Sequence, residues 1–311
     1  MNMPKWISEE EVRERLPMPR LIDLMAETLA SFSAAQVEQP VRTVVEVASD
    51  AFFGVMPALI KTTPALGAKL VTVFGSNIAK GLPTHLATIL LLDPNTGALL
   101  TVMDGRYITE ARTAAVSAVS TRYMAREDAS VLALIGSGVQ AHSHLEALTL
   151  VRDFREIRCW SPTRANLDRF VAEHPQVQPA ASAQAAVEGA DVIALVTAST
   201  TPVIQSEWVQ QGTHVIAVGA CRPTHREIDP KLVARARLIV DSRAAALKES
   251  GDVVLGIQEG LFGPEHIKGE LGEVVSDSCK GRDHTAQITI FKSLGLACED
   301  VAAADLVFHL P

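Results

Sequence analysis

The sequence predicts an α/β protein in which a doubly wound parallel sheet accompanies a separate α+β part. The first observation comes from the second half of the chain, where short apolar segments such as Val131–Ile135 and Val192–Val196 alternate with helical segments. Parallel strands that are buried on both faces have this pattern. The second observation comes from the first half, where strand-like segments follow one another without intervening helices. These segments are 41–47, 54–60, 68–74 and 86–92.

Composition and charge exclude several classes of protein. The chain has 311 residues, of which 48% are hydrophobic and 21% charged, values that exclude wholesale disorder. The net charge of −8 argues against general binding to nucleic acid or to an anionic membrane surface. No apolar run approaches the roughly 18 residues that a membrane span needs. The four cysteines show no paired spacing, so we expect a cytoplasmic protein.

Local patterns predict the helices of the first part. The segment Ser8-Glu9-Glu10-Glu11 has the pattern of a capping box and predicts the start of a first helix. Thr109 is predicted to cap a long alanine-rich helix that ends near Ala125. A second helix is predicted by helical spacing at Leu21, Leu24, Met25, Thr28 and Leu29.

The second part alternates strands and helices. Helices are predicted at 139–150 and 164–172, and the tail 291–310 is expected to be helical and to fold back onto the first domain. Strands are predicted at 131–135, 157–160, 192–196, 214–218 and 238–240.

The most specific motif is Gly136-Ser137-Gly138-Val139-Gln140-Ala141, which lies between a predicted strand and a predicted helix. This is the context of a G-x-G-x-x-G/A dinucleotide-binding fingerprint. Gly136 permits the tight turn, Gly138 lets the backbone approach a pyrophosphate, and Ala141 allows close packing of helix on strand. The helix N-terminus offers free N–H groups to the phosphates. We therefore predict a Rossmann-type domain; the alternative is a glycine-rich turn without a ligand.

The residues after the second strand of this domain bear on the choice of cofactor. An NAD site has Asp or Glu there, which accepts a hydrogen bond from the ribose 2′-hydroxyl. This chain has Ser161, Thr163 and Arg164, which suit a 2′-phosphate, so the pattern favours NADPH, with NADH possible. A structural alternative is that Ser161 caps the next helix with Pro162 at its first position; both interpretations can hold together.

Two cationic residues are candidates for anion binding. With Thr109 as the helix cap, Arg112 would lie in the first helical turn and bind an anion, or it would be solvated or paired with Glu110. Lys69 lies on the apolar face of a predicted strand, so it either ends at solvent or points into a polar cavity. For Arg42, a solvated strand face is the better interpretation.

The histidines do not predict a metal site. His142 and His144 are two residues apart on a predicted helix and point in different directions, so they would not bind one ion together. No metal-binding or nucleophile motif occurs in the sequence, and we expect no metal.

Several segments together resemble the ornithine cyclodeaminase/mu-crystallin family, and they follow one another in order over nearly the whole chain. They are Met103-Asp104-Gly105-Arg106-Tyr107-Ile108-Thr109, Arg112-Thr113-Ala114-Ala115, the fingerprint at 136–141, Val218-Gly219-Ala220-Cys221-Arg222-Pro223, Arg226-Glu227-Ile228, Leu247-Lys248-Glu249-Ser250-Gly251-Asp252 and Phe291-Lys292-Ser293-Leu294-Gly295.

The resemblance implies a homodimer whose substrate-binding and dimerisation domain comprises 1–119 with 291–311 folding back, and whose Rossmann domain comprises 120–290. By motif position, the residues that hold the substrate's carboxylate and position its nitrogen would be Lys69, Arg112 and Arg42. Cofactor contacts would come from Thr84, Thr113, Thr197, Ala198, Cys221 and Ser293, in addition to the fingerprint and to Ser161, Thr163 and Arg164.

One position distinguishes the branches of that family. Cyclodeaminases and related alanine dehydrogenases carry an aspartate where this chain has Cys221, and a thiol is a poor replacement as acid or base. Ketimine reductases of the mu-crystallin type have a small uncharged residue there, followed by Arg-Pro as in Arg222-Pro223, and prefer NADPH. The resemblance therefore implies hydride transfer to the imine carbon of Δ1-pyrroline-2-carboxylate or Δ1-piperideine-2-carboxylate, giving L-proline or L-pipecolate.

Three alternatives remain at this point. The first is an NAD-dependent ornithine cyclodeaminase, which forms proline and ammonia. The second is an alanine dehydrogenase-like amino-acid dehydrogenase that acts on pyruvate and ammonia. The third is a protein that binds NADPH and a small ligand without turnover.

Overall fold

A computed structural model of the chain describes residues 4–310. The strands are, in chain order, β1 (Lys5–Ile7), β2 (Val37–Glu38), β3 (Thr43–Ala48), β4 (Ala51–Ile60), β5 (Ala65–Phe74), β6 (His85–Leu92), β7 (Leu99–Asp104), β8 (Val131–Ile135), β9 (Glu156–Trp160), β10 (Val177–Pro179), β11 (Val192–Leu195), β12 (His214–Ala217), β13 (Arg237–Val240), β14 (Ile267–Glu270) and β15 (Thr289–Lys292).

The α-helices lie between and around these strands. They are α1 (Glu9–Arg15), α2 (Met18–Ser33), α3 (Arg106–Met124), α4 (Val139–Thr149), α5 (Arg164–Glu173), α6 (Ala183–Val187), α7 (Pro230–Arg235), α8 (Arg243–Glu249), α9 (Gly251–Gln258), α10 (Leu271–Val275) and α11 (Ala297–His309). Short 3₁₀ helices are formed by Gly75–Lys80, Ser206–Trp208 and Pro264–His266.

The chain forms two compact units, one from residues up to Arg112 together with those from Gly295 onward, and one from Thr113–Leu294. In the first unit, one sheet has the order β1-β7-β6-β5-β4-β2, with β3 paired to β4. Its strands are antiparallel except for the pair β1 and β7. The helices α2 and α11 pack together, and α11 covers β4, β5 and β6.

The second unit contains a parallel sheet with the order β10-β9-β8-β11-β12-β15-β13-β14. The chain runs outward from β8 to β10 in one direction and from β11 to β12 in the other, so the strand order reverses between β8 and β11. Open α/β sheets bind ligands at such a switch point, beyond the carboxyl ends of the strands. The residues of β8, β11 and β12 are almost all fully buried, and the predicted α/β class is confirmed.

The first helix begins as its sequence predicts. The Ser8 hydroxyl accepts a hydrogen bond from the Glu11 amide at 3.3 Å, and the Glu11 carboxylate accepts one from the Ser8 amide at 2.9 Å. In α2, the predicted stripe is buried at Leu21, Met25 and Leu29.

The predicted start of the long alanine-rich helix is wrong. The helix α3 begins at Arg106, whose amide donates to the Asp104 carboxylate at 2.8 Å. Thr109 lies inside this helix, where its hydroxyl donates to the carbonyl of Gly105 at 2.8 Å. As a consequence, Arg112 lies beyond the first turn, and the predicted effect of the helix N-terminus on it does not apply.

The prediction of a helical tail from residue 291 is also wrong in its first part. Thr289–Lys292 form β15, which lies between β12 and β13 in the parallel sheet, and the terminal helix begins only at Ala297. The local pattern did not identify β15, whose partners β12 and β13 are remote from it in the sequence.

Candidate functional site

The fingerprint turn has the geometry that its sequence predicts. Gly136 follows β8 with φ of 115°, and a Cβ there would lie 2.6 Å from the carbonyl oxygen of Val196, so only glycine fits. Gly138 caps α4, and no heavy atom lies within 4 Å of the position that a Cβ would take. Ala141 is fully buried. This open approach to a helix N-terminus suits the pyrophosphate of a dinucleotide.

The adjoining residues of the turn face different surroundings. Val139 is half exposed, and Gln140 is partly buried, with its carbonyl accepting a hydrogen bond from the His144 ring at 2.7 Å.

The segment after β9 carries hydroxyl and guanidinium groups and no carboxylate. Thr163 and Arg164 are exposed and Ser161 is partly buried. The Arg164 guanidinium lies 2.8 Å from the Asp168 carboxylate, one turn further along α5. The alternative in which Ser161 caps this helix is wrong, because the helix begins at Arg164 and the extended residue before it is Thr163.

A buried carboxylate connects the loops that follow β11 and β12. One oxygen of Glu227 accepts hydrogen bonds from the Thr197 amide at 3.0 Å and the Thr197 hydroxyl at 2.7 Å. The other accepts from the amides of Gly219 at 2.6 Å and Ala220 at 3.0 Å. Burial raises the pKa of Glu227 to about 7, and the Asp252 charge adds to this shift, while Lys292 and the hydrogen bonds from Thr197 oppose it.

A buried ion pair of Asp252 and Lys292 holds the segment that carries Glu227. One oxygen of Asp252 accepts from the amides of Glu227 at 2.9 Å and Ile228 at 3.1 Å, and the other lies 3.1 Å from the Lys292 ammonium. Burial acts to lower the pKa of Lys292, but the neighbouring acidic groups of Asp252, Cys221 and Glu227 raise it above its ordinary value.

Most of the remaining predicted residues of the second unit follow strands that end at the same edge of the sheet. Thr197 follows β11, and Ala198 is exposed beside it; Cys221 is exposed and its thiol donates to the Val218 carbonyl at 3.2 Å. Ser293 follows β15 and is buried. Because β8, β11, β12 and β15 are parallel, their carboxyl ends bring the fingerprint and these loops to one edge. Thr113 is buried in α3.

In the first unit, Lys69 does not end at solvent. It lies on β5 and is 2% exposed, with its ammonium 2.5 Å from the Asp300 carboxylate and 3.5 Å from the Thr109 hydroxyl. Burial lowers the pKa of Lys69 to about 8; Asp300 opposes this shift, whereas the charges of Arg112 and Arg42 add to it.

Arg112 is buried against the first turn of α11. Its guanidinium lies 2.6 Å from the Glu299 carboxylate and 3.0 Å from the Asp300 carboxylate. The alternative pairing with Glu110 is wrong, because Glu110 lies 2.9 Å from Arg106. Burial acts to raise the pKa of Asp300, but the charges of Arg112 and Lys69 lower it below its ordinary value.

Arg42 is brought to the same cluster. Its guanidinium donates to the carbonyl of Gly295 at 3.1 Å, so it does not lie on a merely solvated strand face. Gly295 has φ of 82°, and a Cβ there would lie 2.5 Å from the Arg112 guanidinium. We call Arg42, Lys69, Arg112, Glu299 and Asp300 the cationic cluster. With its groups ionised it has three cations and two anions, hence one positive charge in excess.

His85 is the first residue of β6, and Thr84 directly precedes it. His85 lies near the cationic cluster, and Thr84 lies beside the end of β5. Burial lowers the pKa of His85 to about 4, and the charge of Lys69 adds to the shift, so His85 is neutral at physiological pH. Thr84 is partly buried, and its carbonyl accepts a hydrogen bond from the Phe74 amide at 2.8 Å.

Sequence patterns alone did not indicate several of these residues. Glu227, Asp252 and Lys292 lie within segments that carry the family resemblance, and no sequence pattern indicates Glu299 and Asp300. The sequence signal that could identify such a site residue is a charged residue in an apolar segment, as at Lys292 after Ile290 and Phe291.

No helix within residues 4–310 combines the length and the apolar composition that a membrane span requires.

Residues 4–310 match the family model described as the ornithine cyclodeaminase/mu-crystallin family. The chain belongs to this family. The resemblance found in its sequence motifs is thereby confirmed.

Two curated relatives and one solved structure in the ornithine cyclodeaminase/mu-crystallin family are similar over nearly their whole length. The ketimine reductase mu-crystallin of Mus musculus is 46% identical, over 98% of this chain and 96% of the relative. A Δ1-pyrroline-2-carboxylate reductase of Bacillus cereus is 36% identical, over 97% and 95%. The structure of Thermococcus litoralis Δ1-pyrroline-2-carboxylate reductase with NADH and L-proline has a TM-score of 0.95 and 35% identity, over 97% and 96%.

Proposed function

We propose that this chain is an NAD(P)H-dependent reductase of small cyclic imino acids, converting Δ1-pyrroline-2-carboxylate or Δ1-piperideine-2-carboxylate to L-proline or L-pipecolate. The observation that carries this proposal is the cationic cluster, whose excess positive charge suits one substrate carboxylate. The fingerprint turn supplies the second requirement, a place for a dinucleotide. The names and the bound molecules of the similar proteins agree with both requirements.

The first role of the cluster is to bind and orient the substrate. Arg112 and Arg42 hold the carboxylate, since guanidinium groups bind carboxylates through paired hydrogen bonds. Glu299 and Asp300 fix the Arg112 side chain before substrate binds, which reduces the ordering cost of that step.

The second role is to hold a proton at the Lys69 ammonium. An imine carbon accepts hydride more readily once its nitrogen is protonated, and Lys69, with a pKa of about 8, is mostly protonated at neutral pH. Lys69 gives this proton to the imine nitrogen. The side chain of Lys69, now a neutral amine, then takes up another proton from solvent. When bound, a reduced nicotinamide supplies the hydride.

The reductase is favoured over a cyclodeaminase by the side chains around Cys221. The nearest buried acid in that segment is Glu227, and both of its oxygens accept hydrogen bonds from backbone amides. It is thus committed to holding two loops and does not replace the aspartate that cyclodeaminases carry at the position of Cys221.

The test of this proposal is a product analysis with purified chain. With NADPH and Δ1-pyrroline-2-carboxylate, we expect loss of nicotinamide absorbance and stoichiometric L-proline. Cofactor binding without oxidation by either cyclic imino acid would overturn the proposal. Release of ammonia from ornithine with catalytic NAD would instead identify a cyclodeaminase.

Replacing Arg112 by methionine should weaken substrate binding and also destabilise the chain, and a second variant distinguishes the two effects. We expect kcat/KM to fall by about 100-fold or more, and the free energy of unfolding to fall by about 3–5 kcal/mol because two buried carboxylates lose a partner. The double variant R112M/E299Q should regain part of the stability and none of the activity. If R112M keeps its kcat/KM, Arg112 does not bind substrate.

The preference for NADPH is a finer proposal that rests on Ser161, Thr163 and Arg164. In R164E, the dissociation constant for NADPH should rise by about tenfold while that for NADH changes by less than about twofold, because only NADPH carries the 2′-phosphate. Arg169, also on α5, gives the control R169E. Tighter binding of NADH than of NADPH by the wild-type chain would contradict the preference.

We also propose that the first unit forms a homodimer and binds the substrate carboxylate, whereas the second binds the dinucleotide. Val44, Val45 and Val47 are each more than half exposed on β3, and such an apolar strand suits an interface.

We further propose the cytoplasm as the location of the chain, since no disulfide joins its four cysteines within the described residues.

The dimer can be tested by light scattering after size exclusion. The wild-type chain should have twice the mass of one chain, and V45E/V47E should shift toward the monomer because charge is disfavoured at an apolar interface. The control L150E changes a similarly exposed apolar residue of the second unit. A monomeric wild-type chain would contradict the proposal.

A further inference from the structure

Three potential metal ligands meet outside both groups of residues described above. His142 lies on α4, Glu173 is the last residue of α5, and His174 follows it. The ligand atoms of these three residues all lie within 4.8 Å of one another. We propose that His142, His174 and Glu173 form a binding site for a single divalent transition-metal ion of the zinc class. The proposal is independent of the proposed reductase function.

The distances between the ligand atoms support this site. His142 Nδ1 lies 2.8 Å from His174 Nε2 and 3.8 Å from a Glu173 carboxylate oxygen. Zinc binds imidazole nitrogen and carboxylate oxygen at about 2.0–2.2 Å, so tetrahedral ligand atoms are separated by somewhat more than 3 Å. Small side-chain rotations are enough to widen the first distance and to shorten the others.

The chemistry of the donor set selects the class of metal. Two imidazoles with one carboxylate suit zinc, cobalt, nickel or copper, whereas calcium and magnesium prefer oxygen ligands alone. Three protein ligands leave a fourth position for water. Because the side chains of His142 and Glu173 are 36% and 53% exposed, an ion can enter from solvent.

The two imidazoles are held in place before a metal binds. Phe170 packs against both rings, with centroid distances of 4.8 Å to each. The present contact between the rings is a hydrogen bond, in which one nitrogen donates and the other accepts. A metal takes the place of the shared proton, which moves to the outer nitrogen of its own ring, so binding changes no net protonation when both rings are neutral.

The position of the site on α5 also favours a cation. It lies at the C-terminal end of that helix, where the negative end of the helix dipole attracts positive charge.

Such an ion would fasten α4 to the end of α5. These helices directly follow β8 and β9, the strands that lead to the fingerprint turn and to the residues proposed to select the cofactor. The inference differs from the sequence-based expectation of no metal, which rests on the divergent directions of His142 and His144 and on the lack of a metal-binding motif. His144 is buried, and its ring is hydrogen-bonded to the Ser117 hydroxyl at 2.8 Å. The second histidine of the proposed site is instead His174, which follows α5.

The experiment uses untagged, chelator-treated full-length chain titrated with Zn²⁺ by calorimetry at neutral pH. We expect one ion per chain, with a dissociation constant of about 10 µM or tighter. The variants H142N and H174N should each weaken binding by about tenfold or more, and E173Q by less. The control H284N replaces an exposed histidine elsewhere in the second unit and should leave binding unchanged.

A second measurement guards against variants that fold poorly. The melting temperature of each variant is measured with and without Zn²⁺, and only the metal-dependent increment is compared, since a ligand of the native state raises it. Co²⁺ should give the visible absorption of a tetrahedral site in the wild-type chain and lose it in H142N/H174N. Absence of stoichiometric Zn²⁺ binding by the wild-type chain, or unchanged stoichiometry in H142N/H174N, would overturn the proposal.

Discussion

Replacing Lys69 by methionine should lower kcat/KM for a cyclic imino acid by about 100-fold or more. The variant removes the proton proposed for the imine nitrogen and one cation of the cationic cluster, while Asp300 keeps its contact with Arg112. Steady-state rates at saturating NADPH measure the effect. Lys61 gives a matched control: its side chain is 44% exposed and pairs with Glu38 at 2.6 Å. K61M should keep kcat/KM within about twofold, as expected for an exposed pair.

The pH profile identifies the proton that Lys69 carries. Because burial lowers its pKa to about 8, Lys69 is protonated below that pH and loses its proton above it. The wild-type kcat/KM should therefore decline above about pH 8, and the residual activity of K69M should lack that decline. An unchanged alkaline decline in K69M would assign the titration to another group, and full activity in K69M would remove Lys69 from the mechanism.

Replacing Lys292 by methionine should destabilise the chain by about 3–5 kcal/mol, because it leaves the Asp252 carboxylate buried without its counter-ion. The side chains of Lys292 and Asp252 are only 1% and 2% exposed, and they lie 3.1 Å apart. Urea unfolding measures the change in the free energy of unfolding. We also expect weaker NADPH binding, since Asp252 holds the segment of Glu227 that fixes two loops at the edge of the sheet.

A double variant separates the charge from the shape of this pair. In K292M/D252N neither position carries a buried charge, and the amide oxygen of asparagine can still accept hydrogen bonds from the amides of Glu227 and Ile228. The double variant should therefore be more stable than K292M. If it is instead less stable than K292M, or if K292M unfolds like the wild-type chain, the two residues do not form a stabilising ion pair.

Some features could be predicted because their residues are close together in the sequence. The fingerprint at 136–141 comprises one strand end, one turn and one helix start, so six consecutive residues specify its geometry. The same is true of the capping box at Ser8. The alternation of apolar segments predicted the parallel sheet for a similar reason, because strands buried on both faces need no distant partner to be recognised.

The partners of the charged residues could not be predicted in this way. Lys69 and Arg112 meet Asp300 across 231 and 188 residues of sequence, and the sequence itself only indicated that Lys69 was unusual on an apolar face. With Thr109 as a cap the sequence predicts a first-turn position for Arg112, yet the helix begins earlier, at Arg106, where the Asp104 carboxylate accepts a hydrogen bond from the Arg106 amide. The choice between two adequate caps depends on the preceding strand, which the local pattern did not identify.

The most direct test is to compare Δ1-pyrroline-2-carboxylate with Δ1-pyrroline, the same ring without the carboxylate, as substrates with saturating NADPH. Recognition by the cationic cluster predicts a kcat/KM that is about 100-fold or more higher for the carboxylate. In R112M this advantage should largely disappear. Equal kcat/KM values for the two rings in the wild-type chain would contradict the account.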